Sequence, residues 1–140
     1  SAYGYTAEMA KLIAEGASKV DNVEVEIMDI ETADIGEIDS KITIADGLIV
    51  GSPTINQNTL LPVYKLMAVV SPLRDRGKLA GSFGSFGWSG EAPVLIAEML
   101  KNLRLRFFEE PAAYKFVPES AKEKPLTEYG ERFARDLLSM

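Results

Sequence analysis

The five residues Gly47-Leu-Ile-Val-Gly51 constrain this chain more than any others. A short, wholly apolar run closed by glycine at both ends reads as a β-strand buried on both faces, as inside a parallel sheet. Such a strand needs helices above and below it, and the rest of the sequence supplies them. Residues 7–19 have helical spacing, with Met9, Leu12, Ile13 and Gly16 at i, i+3, i+4 and i+7. Val23-Glu-Val-Glu-Ile-Met-Asp29 alternates apolar and acidic residues, which predicts a strand with one more exposed face. Residues 34–44 read as a short helix, and 63–70 as a helix stopped by Ser71-Pro72. Residues 78–86 read as a second buried strand, 92–102 as a helix, and 105–117 as an extended stretch interrupted by Pro111. A last helix is expected over 125–138, with Tyr129, Phe133 and Leu137 on one face. Strands alternating with helices predict an α/β fold, a doubly wound parallel sheet with helices on both faces. No repeat, linker or low-complexity segment divides the chain, so its 140 residues read as one domain, 1–140.

Composition removes several classes of function. There is no histidine, which excludes a Ser-His-Asp triad, imidazole acid–base chemistry and a histidine-bearing metal site. There is no cysteine, which excludes disulfides and iron–sulfur ligation. The net charge of -6 argues against nucleic acid or an anionic membrane as main partner. No apolar run approaches 18 residues, and a cytoplasmic location is the expectation.

In a parallel α/β sheet, ligands sit at the carboxyl ends of the strands, near a switch in strand order. Three segments have that placement: 1–6, 52–58 and 84–91. They are rich in Ser, Thr, Asn, Gly and aromatic residues and poor in Lys and Arg, which suits a ligand held by backbone amides. In the first, Ser1, Tyr3, Tyr5 and Thr6 carry hydroxyls and Gly4 frees the backbone for close approach. A hydroxyl-rich turn that feeds a helix N-terminus is an anion site. The plainer alternative makes Thr6 an ordinary N-cap with Glu8 in the first turn. In the third, Trp88 is the sole tryptophan, flanked by Gly87, Ser89 and Gly90. It either packs in the core or rides on a loop, where an indole stacks on a planar ring. A phosphate at one loop and a flat ring at another would describe a mononucleotide.

Together, "SAYGYTAEMAKLIAEG", "GLIVGSPTINQNTLLP" and "GSFGSFGWSGEA" resemble the flavodoxin family. They are more similar to the flavodoxin-like domain of flavodiiron proteins, the A-type flavoproteins, to which "GSPTIN" and "FGWSGEA" point. The resemblance covers nearly the whole chain and implies non-covalent FMN. Carried over by position, Ser1, Tyr3, Gly4, Tyr5 and Thr6 would cradle the phosphate. Pro53, Thr54, Ile55 and Asn56 would lie along one edge and face of the isoalloxazine. Ser85, Phe86, Gly87 and Trp88 would cover the other side, with Ser89 and Gly90 nearby. Tyr5 departs from the Asn usual in the family's Thr-Gly-Asn-Thr pattern, which puts that one side-chain contact in question.

The family's strand order is 2-1-3-4-5, with a central first strand before the phosphate loop. No such strand stands ahead of Ser1, so the expectation is a domain lacking its first strand. The resemblance further implies an electron-transfer domain. It would pass electrons to a redox partner protein, or to a linked di-iron domain that reduces dioxygen or nitric oxide, within a dimeric parent protein. Two rivals stand beside it. One is a stand-alone FMN-dependent NAD(P)H:quinone reductase, which needs an open pocket over the ring. The other is a receiver-like signalling domain, for which no acidic cluster suited to Mg²⁺ stands at the strand ends.

Overall fold

The computed structural model describes residues 2–52, 61–85, 91–108, 112–114 and 119–140. Nine elements follow one another: α1 (Ala2–Ser18), α2 (Ile35–Ile44), β1 (Gly47–Gly51), α3 (Leu61–Val69), β2 (Leu79–Ser85), α4 (Glu91–Asn102), β3 (Arg106–Phe107), β4 (Ala112–Tyr114) and α5 (Glu119–Leu138). Every strand pairing is parallel. Along β1 and β2, Gly47 stands opposite Leu79 and Gly51 opposite Phe83. β3 and β4 follow each other along β2, Arg106 opposite Leu79 and Ala112 opposite Phe83.

The period of two along a strand sorts the core into two layers. Leu79 and Phe83 pack with Met9, Leu12 and Ile13 of α1 and with Leu126, Tyr129 and Phe133 of α5. Ala80 and Val50 point the other way, among Ile38 and Ile42 of α2, Val63 and Leu66 of α3, and Ile96 and Leu100 of α4. On the first face Phe108 meets Tyr129 and Phe133 edge-on, with ring centroids 5.6 and 5.4 Å apart. The doubly wound α/β arrangement read from the sequence, a parallel sheet with helices on both faces, is therefore present among the described residues.

Local signals explain several element boundaries. Asp34 caps α2, its carboxylate accepting the Glu37 N–H at 2.8 Å. At the other end the Lys78 ammonium donates to the Ile42 carbonyl at 2.6 Å, a cation at the negative end of the helix.

Three expectations are revised. Residues 23–29 do not form a strand. Val23 packs on Ala17, Val20 and Ala134, and Met28 and Ile30 on the α2–α4 layer, while Ile27 is 57% exposed. The Val/Glu alternation describes an amphipathic strand, but a strand also needs a neighbour about 4.8 Å away. No described residue supplies one. Second, α1 begins at Ala2, so the segment 1–6 is helical from residue 2 and Thr6 lies inside the helix rather than capping it. No proline stands in the first turns to stop the helix extending backward. Third, α5 starts at Glu119 and runs through Pro125, giving up one backbone hydrogen bond. Burial of Leu126 and Tyr129 just beyond it holds the helix in place. Within the stretch 105–117, expected to be extended with an interruption at Pro111, the described residues form β3 and β4, both paired with β2.

Candidate functional site

The direction of α5 shows which ends of the elements meet. Tyr129 lies against Gly81, midway along β2, and Phe133 against Gly47, at the start of β1. α5 therefore descends the sheet against the strand direction, its N-terminal part toward the strands' carboxyl ends. α1 runs alongside in the same sense, Ile13 against Gly130 and Ala17 in the cluster of Ala134. Its first turn consequently rises to the same edge as Gly51 and Ser85. The chain leaves β1 for α3 and β2 for α4 at that edge.

The chemistry there is that of backbone donors. The first four N–H groups of a helix have no intrahelical acceptor, and the helix dipole makes them a site for negative charge. Tyr3, Gly4, Tyr5 and Thr6 lie in those first turns of α1. Ser85 is the last residue of β2, opposite Tyr114. Ser1, Pro53, Thr54, Ile55, Asn56, Phe86, Gly87, Trp88, Ser89 and Gly90 lie outside the described residues. Of the expected set, the structure brings the start of α1 and the end of β2 to one edge. Beside them is Ser52, 3% exposed, whose N–H points at the Phe83 carbonyl at 3.4 Å.

Sequence reasoning missed Phe83. Its ring covers Gly51 at the root of both strand-to-helix connections. The signal is the parallel register that sets a glycine opposite an aromatic, and it shows only once the strands are aligned.

The strongly perturbed charges lie at the other end of the strands. Asp75, fully buried ahead of β2, accepts from the Arg74 guanidinium at 2.9 and 2.8 Å and from the Ser71 N–H at 2.8 Å. The Lys78 ammonium stands 2.8 Å away, and Arg74 also reaches Asp39 of α2 at 3.0 Å. Burial pushes the Asp75 carboxyl up. The hydrogen bonds from Arg74, Lys78 and the Ser71 amide outweigh it and hold the group well below the usual carboxylate range. The side-chain hydrogen bonds of Arg74 to Asp75 and then to Asp39 raise the guanidinium in turn. This hub ties α2 to the start of β2.

Among the described residues no group of three or more His, Cys, Asp or Glu comes together, and no helix is long and apolar enough to cross a membrane.

A family model described as Flavodoxin matches residues 1–130. The Flavo-diiron protein FprA2 of Clostridium acetobutylicum is 38% identical over 138 residues, 98% of this chain and 34% of that protein. Among solved structures, the rubredoxin oxygen:oxidoreductase of Desulfovibrio gigas superposes with a TM-score of 0.85 at 33% identity, over 96% of this chain and 33% of that one. A flavodoxin from the domain Archaea gives 0.80 at 28% identity, over 99% and 94% of the two chains. The chain thus spans about a third of the length of the curated relatives it matches first.

Proposed function

The chain belongs to the flavodoxin family, and from that premise we propose that it is an FMN-binding electron-transfer domain. The observation that carries the reading is the shared edge: the first turn of α1 and the ends of β1 and β2 point their backbone donors and connections to one place. The fit is chemical as well. A phosphate is held by unpaired helix N–H groups without any lysine or arginine. Gly4, in the first turn, leaves the backbone open to it.

In this reading Ser1, Tyr3, Gly4, Tyr5 and Thr6 hold the phosphate through amides and hydroxyls. Pro53, Thr54, Ile55 and Asn56 line one edge of the ring. Ser85, Phe86, Gly87, Trp88, Ser89 and Gly90 line the other and exclude water from it. The flavin, when bound, supplies one- and two-electron transfer. The chain orients it and tunes it. With a net charge of -6 and few cations near the site, the protein disfavours added negative charge on the ring and lowers its hydroquinone potential.

The electrons would go to a di-iron centre on a separate domain that reduces dioxygen or nitric oxide. The flavodiiron name of the C. acetobutylicum relative and the oxygen oxidoreductase name of the D. gigas one support that assignment. So does the share of those proteins that this chain covers. We further propose the strand order 2-1-3-4-5, with β1, β2 and the β3–β4 pair as its third, fourth and fifth strands. A further strand would then lie between β1 and residues 23–29.

Titration with FMN and FAD tests the function. The expected result is a yellow 1:1 complex with FMN and weaker binding of FAD, since no Gly-x-Gly-x-x-Gly fingerprint awaits a pyrophosphate. A stably folded protein that takes up no FMN overturns it. Rapid hydride uptake from NAD(P)H by the complex alone would instead favour a reductase.

A further inference from the structure

α1 and α5 meet backbone to backbone. A Cβ added to Gly16 would come 1.8 Å from the Thr127 carbonyl oxygen, and one added to Gly130 would come 1.9 Å from that of Ile13. No side chain separates the two helices at these points. α5 in turn rests on the sheet through two more such contacts. A Cβ on Gly81 would meet the Tyr129 hydroxyl at 2.3 Å, and one on Gly47 the Phe133 ring at 3.1 Å. α1 and α5 thus lie side by side on one face of the sheet, both against Leu79 and Phe83, with nothing compressible between them at these two points. Their spacing is fixed by atoms already in contact.

That spacing has a use. The sheet presents the ends of β1 and β2, and α1, in the layer next to it and beside α5, presents its first turn. A rigid helix transmits a displacement at Gly16 along its length, about 20 Å to Ala2 at 1.5 Å per residue. Hydrogen bonds from helix N–H groups tolerate only a few tenths of an ångström before they weaken.

We infer that Gly16 and Gly130 are positioning residues, whose backbone contact sets how far to the side of α5 the phosphate-binding turn of α1 stands at the carboxyl ends of β1 and β2. The inference rests on the FMN reading. It adds that one end of the ligand site is adjusted from a contact buried between helices, not from the loops that touch the ring. A methyl group at Gly130 must push α1 sideways from α5, because the atom it meets is backbone and cannot rotate away. The ends of β1 and β2 stay where they are.

The test compares FMN with riboflavin, which keeps the ring and lacks the phosphate. In Gly130→Ala the FMN-to-riboflavin affinity ratio should fall about tenfold or more, with riboflavin affinity nearly unchanged. Ile38→Val, in the layer on the other side of the sheet, should lower stability and leave the ratio as it was. An unchanged ratio in folded Gly130→Ala overturns the inference and leaves the FMN reading standing. Failure of the unmodified protein to bind either flavin overturns both. Should Gly130→Ala not fold, amide hydrogen exchange in the unmodified protein decides. At equal saturation, FMN should slow exchange over residues 126–134 of α5 more than riboflavin does, and equal slowing overturns the inference.

Discussion

The Phe83 ring lies on Gly51, its partner across the β1–β2 ladder, so closely that a Cβ at Gly51 would approach three ring carbons to 2.2–2.5 Å. One side chain thus covers the point where both strands give way to the connections that lead to α3 and α4. Gly51→Ala must turn or lift that ring, and overpacking of this kind costs about 1–3 kcal/mol. Urea denaturation should show the loss, and the visible absorption band of bound flavin should shift as both ring segments move. A variant destabilised to this extent but spectrally identical would separate Gly51 from the site.

Trp88→Ala should weaken FMN binding by about 1 kcal/mol, the scale of an aromatic pair beyond its burial. Riboflavin should lose the same amount, because the indole addresses the ring. Were Trp88 a core residue instead, the apoprotein would lose about 3–5 kcal/mol of stability. Denaturant midpoints measured beside flavin titrations tell the two apart.

Asp75→Asn should cost about 1–3 kcal/mol at neutral pH, since it leaves donors from Arg74, Lys78 and Ser71 without their charged acceptor. The pH dependence has a definite sign. The folded-state carboxyl is held below its usual range, so its contribution is complete above the unfolded value of about 3.9. It is lost as pH falls from there toward the folded value. Urea melts on acidification below about pH 4 should therefore bring the wild type down toward the variant. A gap that stays constant would assign the loss to shape rather than to charge.

A parallel strand supplied beside β1 should stabilise the domain. β1 pairs only with β2 among the described residues, and Val25 and Ile27 of the unpaired segment 23–29 are 36% and 57% exposed. Fusing an apolar strand of about 5–6 residues, the usual length, ahead of Ser1 should raise both the thermal midpoint and FMN affinity. If neither moves, the order 2-1-3-4-5 is wrong for this chain.

Much of this architecture was legible because it depends on short-range pattern. The glycines that bound β1, the Asp34 cap of α2 and the Ser71-Pro72 stop after α3 act within one or two turns of chain, where sequence alone can be read. The misreadings share a different cause. Val23 to Asp29 has a strand's alternation, yet a ladder depends on what lies beside it. Pro125 looks like a helix start, yet Leu126 and Tyr129, buried on the sheet, carry the helix through it. Gly16 and Gly130 are each an isolated glycine in a helical pattern, and their meaning appears only where the two helices touch. For the site, the uncharged character of the three segments was plain from composition. That Phe83 lies on Gly51, next to the root of one of them, was not, because register is a property of pairs.

The outer margin of the sheet carries a consequence for how the molecule behaves in company. β3 has two residues and β4 three, set one after the other along β2 with the Phe108 N–H turned inward to the Ala80 carbonyl at 2.8 Å. A long, straight border would offer a row of free amides and carbonyls on which another chain could lay a strand. The two described runs of this border are two and three residues long, each by itself too short a template for a stable foreign pairing.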